Sequence, residues 1–191
     1  RLSRPWYCAA APLAKRRLTR QLAAKPTPEL AMPIPQSPAD LADRQTVLSM
    51  SGLAFMQAVL AGDLAGPPIA QGMNFTLGSV AVGRAIFHGT PEFAHSNPVG
   101  GVHGGWYGTI LDSCMACAVM TTVPKGAVYT TLEYKINIVR AIPVGTPVIA
   151  TGVVDHAGRS TGVATGRIEG VDGKLYATGS TTCLIMQIDK P

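Results

Sequence analysis

The spacing of apolar positions changes three times along the chain. Between Leu41 and Leu64, Leu53, Met56 and Leu60 recur at helical spacing, and Gly66-Pro67-Pro68 closes the run, which predicts one helix. From Ile69 to Thr90 the period shortens: Val82, Arg84, Ile86 and His88 alternate with smaller or apolar neighbours, the pattern of a β-hairpin. A loop dense in turn formers, PEFAHSNPVGGV, follows. The next stretch, HGGWYGTILDSCMACAVMTTV, lacks proline and carries Ile110, Leu111, Met115, Ala118 and Val119 in helical phase, so it predicts a long apolar helix. After Pro124-Lys125-Gly126 come four strand patterns rich in Val, Ile, Thr and Tyr, at 127–140, 146–157, 160–171 and 174–187. Asp172-Gly173 reads as a two-residue hairpin turn, and His156-Ala157-Gly158-Arg159 as the turn before it. The expected class is α+β, an antiparallel sheet of about six strands wrapped around a central helix.

A chain of 191 residues, 47% hydrophobic and 14% charged, can bury one good core. Its net charge of +5 raises a nucleic-acid reading, but residues 1–31 hold 7 Lys/Arg and 1 Asp/Glu while the remaining 160 hold 9 and 10. Basic character is therefore confined to a leader, and neither a nucleic acid nor a membrane is an expected partner. Residues 1–31 are expected to be disordered or foreign to the native domain, 32–66 a Pro-rich segment and helix, and 67–191 the main domain. No apolar run approaches the ~20 residues of a membrane span. Cys8, Cys114, Cys117 and Cys183 do not form a disulfide framework, which points to the reducing cytoplasm. Cys114 and Cys117 read as helix packing rather than as a redox or zinc pair, because no second pair exists.

The segment with chemistry in it runs from Asn97 to Asp112. Gly104 and Gly105 open a helix, so their unhindered amides point outward with the positive end of the helix dipole and prefigure an oxyanion site. Asp112 interrupts an apolar helix, where an unpaired carboxylate is costly. Burial there raises a carboxylate's pKa and suits it to act as a base near neutral pH. Each feature has a plainer explanation: glycines close turns, buried Asp residues make structural hydrogen bonds, and Asn97 before Pro98 suits an Asx turn. Their combination on one loop and helix is what favours a site. No G-x-S-x-G elbow supports a serine nucleophile, and His88, His95 and His156 read as structural or surface residues. His103 lacks partner ligands at metal-binding spacing, so neither metal nor cofactor is expected.

With its order of elements, the chain resembles the PaaI-like (phenylacetic-acid-degradation type) acyl-CoA thioesterases of the hotdog fold. The resemblance spans about residues 45–188 and rests on SGLAFMQAVLAGDLAGPPIA, NPVGGVHGGWYGTILDSCMACAV, TTLEYKINIVRAIPVG and GRSTGVATGRIEGVDGKLYATGSTTCLIM. It implies that the Gly104 amide, after His103 and beside Gly105, binds the thioester carbonyl, and that Asn97 orients the histidine or substrate. It implies that Asp112 acts as nucleophile or base, and that Thr131, or Thr130, positions the water. Arg140 and Arg159 match positions that are often basic near the coenzyme, and surface solvation explains them as well. Trp106, Tyr107, Met115 and Tyr134 are candidates for an apolar pocket, with core packing competing for at least two.

Gly104 and Asp112 lie eight residues apart, roughly 12 Å along one helix, whereas reacting atoms must approach to about 3–3.5 Å. If both serve one thioester, Asp112 must come from a second copy of the helix across a two-fold axis. The expected assembly is a homodimer or homotetramer acting on acyl-CoA. The alternatives are a hotdog acyl-CoA hydratase or dehydratase, and a non-catalytic acyl-CoA-binding module that retains the fold.

Overall fold

The computed structural model describes residues 32–188, so the expectation for 1–31 lies outside the described residues. After a 3-10 turn at Pro38–Asp40 come α1 (Arg44–Ser49), α2 (Gly52–Ala61) and a one-turn α3 (Ile69–Gly72). The hairpin is β1 (Phe75–Ala81) with β2 (Arg84–Gly89); α4 (Gly104–Met120) follows, then β3 (Ala127–Ile138), β4 (Val148–Ala157), β5 (Thr161–Gly170) and β6 (Leu175–Gln187). The six strands form one sheet in the order β1-β2-β4-β5-β6-β3, each pair antiparallel. This is the α+β hotdog arrangement that the sequence predicts.

The sheet closes around α4 because one broad face of the helix is apolar along its whole length. Trp106, Tyr107, Ile110, Leu111, Cys114, Met115, Ala118 and Val119 are all buried. Close contact demands missing side chains opposite: a Cβ on Gly152 would fall 2.1 Å from the Cys114 carbonyl oxygen, and one on Gly166 would fall 2.6 Å from Met115 Cγ. Trp106 and Tyr107 are tied as well as packed. Trp106 Nε1 donates to the Met73 carbonyl at 2.8 Å, and the Tyr107 hydroxyl accepts from the Ile142 amide at 2.8 Å.

Three local expectations are corrected. The single helix between Leu41 and Leu64 is two: Met50 is extended (φ −130°, ψ 165°), and Ser51 restarts the chain by capping the Ala54 amide. The restart is set by tertiary contact, since the Gly52 amide donates to the Val123 carbonyl and a Cβ there would collide with the Met120 carbonyl. The inward face of α2 is accordingly Gly52, Met56 and Val59, with Leu53 and Leu60 only half-buried. Ile69 begins a helical turn rather than a strand, and Asn74 takes a positive φ of 48° before β1 starts at Phe75. The Asp172-Gly173 turn lies where expected, but residues 171–174 all belong to it. Gly173 supplies the positive φ (77°), and the Asp172 carboxylate accepts from the Lys174 amide.

Among the described residues no helix is long and apolar enough to cross a membrane. Met32, Met56 and Val59 belong to the same buried cluster as the sheet and α4, so the 32–66 segment packs onto the main body.

Candidate active site

Asp112 sits midway along α4, half-buried, where β3 passes over the helix. Thr131 Oγ1 donates to Asp112 Oδ1 at 3.1 Å. Burial pushes the Asp112 pKa above the ordinary carboxylate value, and the Thr131 hydrogen bond opposes that shift without cancelling it. The sequence left Thr130 and Thr131 open; Thr131 makes the bond, while both line a cavity of about 570 Å³ together with Asp112. The rest of that cavity is chiefly apolar, walled by Phe55, Met56, Val59, Met120 and Tyr129 among others. Sequence reasoning missed all of these lining residues. The only signal available was the four-residue spacing of Asp112, Ala116 and Met120, one stripe of a helix.

At the N-terminal end of the same helix, His103 is the N-cap. Its Nδ1 accepts from the Gly105 amide at 2.9 Å, and its carbonyl accepts from the Trp106 amide at 3.0 Å. The Gly104 amide is left without an acceptor among the described residues, at an exposed helix start carrying the positive end of the dipole. Of the two expected glycine donors, Gly104 is therefore free and Gly105 is engaged. His103 thus has a structural task that the sequence did not reveal.

Asn97 organises the loop leading to the helix. Its Oδ1 accepts from the amides of Val99 and Gly101, both at 3.1 Å, while its own amide donates to the Gly101 carbonyl at 2.7 Å. It makes no bond to the His103 ring among the described residues, so any influence on His103 passes through the backbone. His95 is buried and structural: Nδ1 accepts from the Glu92 amide and Nε2 donates to the Gly72 carbonyl.

The two arginines are far apart. Arg140 follows β3 and donates to the Leu175 carbonyl at the start of β6, whereas the turn holding Arg159 lies beside Ile185 near the end of β6. Ten residues of strand separate these points, roughly 30 Å at ~3.3 Å per residue. Trp106, Tyr107 and Met115 are buried in the core, whereas Tyr134 is 46% exposed and holds its hydroxyl over Gly108 of α4.

Three nucleophilic groups surround Asp112 without serving as ready attackers. Cys117 is half-buried against the cavity, and burial pushes its thiol up to about 12; Cys183 and Tyr129 are shifted upward for the same reason. Among groups around the cavity, the carboxylate is the one suited to take a proton at neutral pH.

In sequence and fold the chain is similar to known thioesterases. Residues 99–177 match the thioesterase superfamily. Human acyl-coenzyme A thioesterase 13 is 28% identical over 110 residues, which is 57% of this chain and 78% of that one. Among solved structures, the phenylacetic acid degradation-related protein of Ralstonia eutropha superposes with a TM-score of 0.63 at 28% identity, covering 68% of this chain and 98% of that one. A conserved protein of Pseudomonas aeruginosa gives 0.59 at 27% identity, covering 63% and 95%.

Proposed function

We propose, from the match of residues 99–177 to the thioesterase superfamily, that this chain hydrolyses acyl-CoA thioesters in a site shared between two copies of itself. The observation that carries the reading is Asp112, a carboxylate with a raised pKa held by Thr131 in the wall of an apolar cavity. The thioester carbonyl binds at the free Gly104 amide, where the helix dipole stabilises the oxyanion as it develops. Asp112 takes the proton of an attacking water; the tetrahedral intermediate then collapses, the C–S bond breaks, and the proton held by Asp112 passes to the sulfur, so that coenzyme A leaves as its thiol and the carboxylate is restored. Direct attack by the carboxylate followed by hydrolysis gives the same products. The Thr131 bond occupies Oδ1 and leaves Oδ2 for the proton. Asn97 and His103 act by shaping the helix start.

The second copy is required by distance, since Gly104 and Asp112 are roughly 12 Å apart along α4. Two features favour a dimer across β3. It is an edge strand with Leu132, Tyr134 and Ile138 exposed at 59%, 46% and 45%. Beside it, α4 leaves a partly exposed stripe of Gly105, Thr109, Asp112 and Ser113. A two-fold axis there brings each Asp112 toward the other copy's helix start. It also brings the Arg140 end of one chain toward the Arg159 end of its partner, so the two arginines can flank one coenzyme only across the interface. The free, buried or half-buried thiols Cys114, Cys117 and Cys183 suit a reducing cytoplasm.

Release of free thiol from a panel of acyl-CoAs tests the activity directly. Asp112→Asn should lower turnover by ~10²–10⁴-fold or more while the protein stays folded. Near-normal turnover in that variant would return Asp112 to a structural role.

A further inference from the structure

We propose that the cavity beside Asp112 is an acyl-chain channel for unbranched aliphatic thioesters, roofed by the 32–66 segment and gated by Ala116. The inference rests on the thioesterase reading and adds the substrate class to it. Its first support is direction. Asp112, Ala116 and Met120 all line the cavity and lie on one stripe of α4, so the wall runs from the carboxylate about 12 Å along the helix. Everything along that path beyond the carboxylate is apolar or small, and Ala116 leaves open the space that a larger side chain would fill.

The roof is built and fastened. Phe55, Met56 and Val59 of α2 line the cavity, as do Met32 and Leu41 before it. The segment is closed on itself and tied to the main body: the Gly66 amide donates to the Pro33 carbonyl at 2.9 Å, joining its two ends, and in its middle the Gly52 amide donates to the Val123 carbonyl at 2.9 Å. The Met32 side chain lies over Gly66 where a Cβ would stand. The roof is thus part of the folded body, and its side chains set the shape of the space beneath.

Size and surface decide the occupant. A cavity of about 150 Å³ is enough to hold a benzene ring, whereas this one is about 570 Å³. A single aromatic acyl group would leave most of it unfilled. Met32, Met56 and Met120 contribute flexible thioether side chains to the lining, which adapt to a flexible chain.

The test uses the full chain and four substrates: butyryl-, octanoyl-, dodecanoyl- and phenylacetyl-CoA, with equilibrium binding of the corresponding free acids measured alongside. Each methylene that enters an apolar channel should raise kcat/KM by about fourfold from butyryl to octanoyl. Ala116→Leu intrudes one turn beyond Asp112 and should lower the octanoyl-to-butyryl ratio by about tenfold or more. Phe55→Ala, at a half-buried position that tolerates truncation, should raise the ratio of dodecanoyl to octanoyl. Circular dichroism establishes that both variants are folded. Unchanged ratios in folded variants, or a preference for phenylacetyl over octanoyl thioester, would overturn the channel. If the wild-type protein releases no thiol from any substrate, the thioesterase reading fails instead. Octanoate and dodecanoate binding weakened by Ala116→Leu would then still uphold the channel, and no such binding would sink it too.

Discussion

Splitting the site between two subunits is a direct test of the geometry. Gly104→Pro removes the amide that the carbonyl needs, and the fold should accept it. Position 104 is the first residue of α4, where proline is favoured. His103 is extended at φ −64° and ψ 139°, as a residue before proline requires, and the nearest atom to an added Cβ is Ile138 Cδ1 at 3.7 Å. Asp112→Asn removes the base while keeping an acceptor for Thr131. If one chain held a complete site, the carbonyl carbon would lie within about 3–3.5 Å of the attacking atom, yet the two groups are separated by roughly 12 Å of helix. Each variant alone should therefore be nearly inactive, because every site in either homodimer lacks one part. Co-expressed with two different tags and purified through both, a heterodimer carries one site missing both parts and one with neither missing. It should recover about half of wild-type activity on the two-site geometry. Thiol release against the tandem-purified species is the assay, with circular dichroism of the parents as the folding control. Heterodimers as inactive as their folded parents would refute the shared site.

Three further outcomes follow from contacts already described. Asp112→Asn should raise the melting temperature at pH 7. A carboxyl whose folded pKa is raised stabilises the fold fully below its unfolded value and loses that contribution as pH rises through the folded value, so the gain from Asn should fade as pH falls toward 4; melting curves from pH 4 to 8 that show no difference would remove the burial argument. Tyr107→Phe strands the buried Ile142 amide, at a cost of about 1–3 kcal/mol; a thermal melt should fall by about 2–4 °C per kcal/mol, and an unshifted melt would mean that the amide finds another acceptor. Cys117, its thiol pushed up to about 12, should alkylate slowly at pH 7.5 and faster with each rise in pH; fast labelling mapped to its peptide by mass spectrometry would contradict that environment.

What the sequence discloses depends on how local the cause is. The strands of the meander end within two residues of their predicted limits because alternation and turn residues are written into adjacent positions. Asp112 stood out for an energetic reason, since an apolar helix does not carry a carboxylate without cost, and the structure supplies the partner in Thr131, nineteen residues away. Where the cause is a distant contact, the pattern misleads. The break at Met50 depends on the Val123 carbonyl receiving the Gly52 amide, and no periodicity between Leu41 and Leu64 contains it. His103 has a local task that its motif did not disclose: its ring accepts from the Gly105 amide, two residues on, and caps α4. The Asx-turn reading of Asn97 needed only its next few residues, and its oxygen does accept from Val99 and Gly101. The cavity was least legible of all, because Met32, Val59 and Tyr129 meet there from separate segments. Its decisive residue is marked by smallness: Ala116 is an unremarkable helix former in sequence and becomes a gap only when the roof is overhead. Residues that bear charge therefore announce a site from sequence, whereas residues that shape empty space become visible only when the chain has closed around it.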